Sequence, residues 1–175
     1  MKKTVFGLVL CMTFLLVGCG SKDKDETNGS KNAESSVNSS ISLTYNGQTF
    51  TVGDTYDKVK GGLGDEIKPS EVIPPCDGEG DDMTEYYFDG LTVGVDESGI
   101  VDHINLVSEG GDVVKEAETD KGLKLGDTAD KAKELYGEPL NDSEYVVSFD
   151  DGDLNMTCGL GDDGTITYFY IINNK

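Results

Sequence analysis

The sequence predicts an α+β fold built as two tandem repeats, each a short helix packed on a three- or four-stranded antiparallel sheet. Three observations lead there. Val52-Gly53-Asp54-Thr55-Tyr56-Asp57-Lys58-Val59-Lys60 recurs as Leu125-Gly126-Asp127-Thr128-Ala129-Asp130-Lys131-Ala132-Lys133, and Gly64 falls on Gly137 at the same offset of 73 residues. A short apolar stripe at helical spacing follows each copy of Gly-Asp-Thr. Alternating apolar runs punctuated by Asp-Gly turns come after each helix. Self-similarity at a fixed offset is the mark of a duplicated unit. It divides the chain into residues 41–111 and 112–175.

In chain order, Lys2 and Lys3 precede the apolar run Val5 to Val17, which is too short to span a bilayer and has the layout of a secretory signal. Leu16-Val17-Gly18-Cys19 matches the bacterial lipoprotein box. Residues 1–18 are therefore expected to be removed, and Cys19 to be lipidated. Lipid on that cysteine would hold the chain on the extracytoplasmic face of the cell membrane. Residues 19–40 are rich in Ser, Asn, Lys, Asp and Glu. They lack the apolar residues needed to bury a core, so a disordered tether is expected.

Ile41 to Val52 alternates around Asn46-Gly47 and reads as a hairpin. Asp54 or Thr55, and Asp127 or Thr128, are candidate N-caps. Tyr56, Val59 and Leu63 form the first helical stripe, whose end Gly61-Gly62 should fray. Ala129, Ala132, Leu135 and Tyr136 form the second, with Gly137 and Pro139 as its stop signal. Residues 65–83 read as a long irregular insertion, against a short link over residues 138–143 in the second repeat. Three strands follow in each copy, over 85–88, 91–95 and 100–107, and over 145–149, 154–158 and 165–172. Val113-Val114 reads as an edge strand ahead of Leu123-Lys124-Leu125.

The full chain carries 34 acidic and 14 basic side chains, a net charge of −20, and no arginine. Without Lys2 and Lys3 the balance becomes 12 against 34, or −22. Such a chain is repelled by nucleic acid and by anionic lipid surfaces. Of the four cysteines, Cys76 and Cys158 remain after the signal and the lipid site are set aside. Outside the cytoplasm they could pair as a disulfide or stay as separate thiols. Asp77, Glu79 and Asp81 alternate on a loop and offer oxygen ligands to calcium. Neither this run nor Asp151, Asp153 and Asn155 has the closing Glu of an EF-hand loop. Asp-Gly pairs are also ordinary hairpin turns. His103, the single histidine, lies on an expected strand without a nucleophile elbow, so no catalytic set is expected. Tyr86, Tyr145, Tyr168 and Tyr170 are candidates for a binding surface on the sheet, or for its packing.

Gly-Asp-Thr opening a helix, Tyr136-Gly137-Glu138-Pro139 closing it, a Tyr-rich strand and an Asp-Gly turn resemble the β-lactamase-inhibitory-protein-like superfamily over residues 41–172. Pro74-Pro75-Cys76 is also similar to an element of uncharacterised lipoproteins from Gram-positive gut anaerobes. The resemblance implies non-catalytic modules that bind proteins, on aromatic-rich concave sheets in the inhibitors. The function expected is a membrane-anchored adaptor for an envelope or secreted protein. A small-ligand or calcium-responsive module using residues 76–82 is the alternative.

Overall fold

The computed structural model describes residues 41–75, 82–108 and 117–174, all within one unit spanning Ala33–Lys175. Across the described residues the fold is α+β, mostly antiparallel sheet with two helices. Thirteen elements run in the order β1 (Leu43–Tyr45), β2 (Gln48–Phe50), α1 (Tyr56–Leu63), β3 (Lys68–Ile73), β4 (Met83–Phe88), β5 (Leu91–Val95), β6 (Val101–Val107), β7 (Ala117–Thr119), α2 (Ala129–Tyr136), β8 (Asn141–Asp142), β9 (Val146–Asp151), β10 (Leu154–Leu160) and β11 (Ile166–Asn173). Eight strands form one sheet in the order β3-β4-β5-β6-β11-β10-β9-β8, and β2-β1-β7 form a small second sheet. The expected signal, tether and linker strand at Val113-Val114 lie outside the described residues.

Alternation along each strand sorts the large sheet into two faces. Tyr86, Val93, Ile104, Ile171, Met156 and Phe149 form one continuous cross-strand row, and Phe88, Leu91, Leu106, Phe169, Cys158 and Val147 form the next. All but the partly buried Tyr86 belong to the core. The helices meet the first row at opposite ends. The Tyr56 ring of α1 stacks on Tyr86 at 4.1 Å, and the Tyr136 ring of α2 sits 5.6 Å from Phe149. The small sheet joins the same side. Tyr45 donates to the Asp89 carbonyl at 2.7 Å, Tyr136 donates to Thr119 Oγ1 at 2.7 Å, and β2 packs against α1. One sheet face thus shares a core with both helices and the small sheet, as a helix-on-sheet layer requires.

The Gly-Asp-Thr stretches do more than start helices. Gly53 (φ 94°) and Gly126 (φ 85°) take a backbone that side-chain-bearing residues avoid. Gly53 N donates to the Val101 carbonyl, and Val101 N donates back to Asp54. Gly126 and Ile166 repeat the exchange with Asp127, all four bonds at 2.8 Å. Each loop is thereby stitched to the start of β6 or β11. Asp54 and Asp127 are not the caps. Their carboxylates accept from the N–H three residues back, Thr51 at 3.0 Å and Lys124 at 2.8 Å. They also pair one helical turn ahead with Lys58 at 2.7 Å and Lys131 at 2.8 Å. Thr128 does cap, accepting from Lys131 N, whereas Thr55 holds the N-cap position without a side-chain bond.

Several elements differ from the sequence expectation. Gly61-Gly62 does not fray α1, which runs through to Leu63. A Cβ on Gly62 would lie 2.6 Å from the Gln48 side chain, so this glycine allows β2 to approach the helix. The insertion after α1 contains the strand β3. All six of its residues are exposed, so no alternation reveals it. Its Pro69 falls where the register with β4 shifts between Lys68 and Glu71, the kind of irregularity at which a missing N–H is tolerated. Ahead of Leu123-Lys124-Leu125 the described residues hold a strand that the sequence does not predict. The strand of that region is β7, whose three residues pair with β1.

Candidate functional site

The second face of the large sheet carries none of the helix contacts described above. Across it, Lys68, Tyr87, Thr92, Asn105, Tyr170, Thr157 and Ser148 stand in register from β3 to β9. The adjoining row runs Glu85, Gly94, His103, Ile172, Asn155 and Asp150. Tyr168, opposite Gly159, begins a third. Polar and aromatic residues on a sheet face opposite the core are what an antiparallel sheet leaves to solvent or to a partner.

His103 is the centre of this face. It is only 7% exposed, because its ring lies flat over Gly94, where an added Cβ would come within 2.1 Å. A register shift beside Gly94 brings Asp102 alongside. The imidazole Nδ1 is 3.4 Å from Asp102 Oδ2, and Nε2 is 3.7 Å from Glu85 Oε1. The Tyr170 ring lies 5.5 Å from that of His103. Tyr87 donates to Glu85 Oε2 at 2.6 Å, and the Lys68 ammonium sits 3.5 Å above its ring. The hydrogen bond to Glu85 is the main cause raising the Tyr87 hydroxyl's pKa. Burial, then Asp102 and Glu85, raises that of Tyr170. Both phenols therefore remain neutral donors at physiological pH, beside carboxylates that accept. The face offers aromatic surface and carboxylate acceptors to a docking side chain.

Of the four expected surface tyrosines, two share this face. Tyr168 and Tyr170 alternate with core residues Phe169 and Ile171. Tyr86 belongs to the covered face, in the row of Val93 and Ile104, because its neighbours Tyr87 and Glu85 take the open side. Tyr145 precedes β9 and is 68% exposed, with its carbonyl accepting from Leu160 N. Residue types alone did not single out Glu85, Tyr87, Asp102 and His103 as members. The tight Asp89-Gly90 turn fixes Tyr87 opposite Thr92, and that register is the signal that could have found them.

Cys158 is fully buried on β10 as a free thiol. Its expected partner Cys76 lies outside the described residues, as do Asp77, Glu79 and Asp81 and the lipidation site Cys19. Among the described residues no group of three or more His, Cys, Asp or Glu could hold a metal ion. Burial pushes the Cys158 thiol up to about 12. The thiolate is the reactive form. Alkylation at pH 8 followed by peptide mass mapping is expected to leave Cys158 unmodified in native protein and to label it fully in guanidinium. Labelling at the rate of a free thiol in native protein would mean that β10 opens readily. No family model, curated protein or solved structure matches this chain.

Proposed function

We propose that this chain is a non-catalytic lipoprotein, anchored through Cys19 on the extracytoplasmic face of the cell membrane, whose duplicated module binds an envelope or secreted protein. The carrying observation is the open sheet face, with Tyr87, His103, Tyr168 and Tyr170 set among Glu85 and Asp102 on strands that the core holds rigid. Rigid aromatic side chains with a polar end suit protein recognition, since they lose little conformational freedom on docking. The lipoprotein box and the tether-like segment support the anchored location.

Matched geometry supports the duplication. The strand order runs inward from both edges to the antiparallel pair β6 and β11. Both Gly-Asp-Thr loops make the same backbone exchange and the same ion pair. Gly94 lies under His103, and Gly159 lies under Tyr168, at equivalent register shifts. The resemblance to tandem-repeat inhibitors fits this reading.

Affinity capture from detergent-solubilised envelope extract tests it. One envelope protein should be retained with and without chelator, and lost when Tyr170→Ala and Tyr87→Ala are combined. Retention that the double variant leaves intact would remove the open face from the reading. Retention only with calcium would shift attention to residues 76–82.

A further inference from the structure

We infer that a groove on the opposite side of the first half, between the start of α1, β4 and the β5–β6 turn, binds a small organic cation carrying an alkylammonium group. The inference does not rest on the protein-binding reading, because the groove opens at the covered face. Its volume is about 420 Å³, and Tyr56, Asp57, Tyr86, Asp96, Glu97 and Ser98 are among its walls. That size lies within the range of small-molecule sites, roughly 300–1,000 Å³.

The chemistry of the walls selects the ligand. Tyr56 and Tyr86 stack at 4.1 Å with 22° between their planes, and both rings border the groove. Stacked at that distance the two rings cover each other's inner faces, so an ammonium group would meet an outer ring face, where the attraction grows as the site is desolvated. Three carboxylates, Asp57, Asp96 and Glu97, line the groove; Asp57 is already paired with Lys60, which leaves Asp96 and Glu97 to face a cation. Asp96 is held in place because its Oδ1 accepts from the N–H groups of Ser98 at 2.9 Å and Ile100 at 2.8 Å. An anion would meet these acids, although a helix start borders the site. The first-turn donor Tyr56 N is already bonded to the Gly99 carbonyl at 2.8 Å.

The fold itself does not require the tyrosine pair. Ala129 stands at the corresponding start of α2, and Val147 at the corresponding place in β9, in contact register with Cys158 as Tyr86 is with Val93. The same architecture is made with small aliphatic residues in one half and with two stacked, part-exposed rings in the other.

The test titrates choline into the full chain while aromatic resonances are followed by NMR. The neutral isostere 3,3-dimethylbutan-1-ol and calcium chloride serve as controls. Choline should shift the Tyr56 and Tyr86 ring signals saturably. The neutral isostere should bind roughly tenfold more weakly, the scale of a desolvated cation–π contact. Tyr56→Ala, which installs the residue already present in α2, should abolish saturation, and Glu97→Gln should weaken it severalfold with the fold unchanged. Equal binding of the isostere would overturn the inference in favour of an apolar groove. So would absence of saturation, a response to calcium in place of choline, or shifts confined to Tyr87 and Tyr170 on the other face.

Discussion

Phe169→Ala is expected to destabilise the protein by about 3–5 kcal/mol, the usual cost of deleting a fully buried phenylalanine. Phe169 is 0% exposed. It lies on β11, between Leu106 of β6 and Cys158 of β10 in the cross-strand row. The position is decisive because β6 and β11 are where the strands of the first half meet those of the second. Domains of this size are stable by only about 5–15 kcal/mol, so the loss is a large share of the total. Guanidinium unfolding, followed by far-ultraviolet dichroism and by tyrosine emission, should show one transition at a lower midpoint with an unchanged slope. Hydrogen exchange should report the same loss at Val93 and at Met156, one from each half. Unaltered protection at Val93 would mean that the halves unfold separately and that the shared sheet is not one cooperative unit.

Much of the strand pairing in both sheets was legible because Asp89-Gly90 and Asn46-Gly47 are strong turn signals between alternating runs. Asn46 (φ 49°) and Gly47 (φ 78°) take the left-handed backbone that such a turn needs. Where local chemistry and the final fold agree, the element could be read from sequence. β3 was hidden because an edge strand exposed throughout has no hydrophobic period to betray it. β7 was hidden by its length of three residues, which tertiary pairing with β1 determines. The helix starts were half legible. Asp54 and Asp127 look like caps in sequence, yet a carboxylate can equally turn back to the preceding N–H, and the stitching to β6 and β11 selects that choice. The open-face cluster required register. Tyr86 and Tyr87 are adjacent and chemically alike, so only strand pairing decides that one meets α1 and the other meets Glu85.

Gly94→Ala is expected to cost about 1–3 kcal/mol, the range for overpacking a well-filled site, even though alanine suits a strand better than glycine does. Backbone conformation is not the reason, since Gly94 is not among the positive-φ glycines. The added Cβ would lie 2.1 Å from one ring atom of His103 and 2.4 Å from another. The ring must then lift off the sheet, which changes its distances to Asp102 and Glu85. A double-mutant cycle isolates this cause. In a His103→Ala background the obstructing ring is gone, and Gly94→Ala should become nearly neutral. The same penalty in both backgrounds would show that strain elsewhere in β5 sets the cost. Gly159→Ala provides the comparison, because its Cβ would come within 1.8 Å of the Tyr168 ring. Tyr168 is part-exposed whereas His103 is buried, so its ring can swing into solvent and the penalty should be smaller. If Gly94→Ala also weakens partner capture while Gly159→Ala leaves it intact, the position of the His103 ring, rather than general stability, governs the open face.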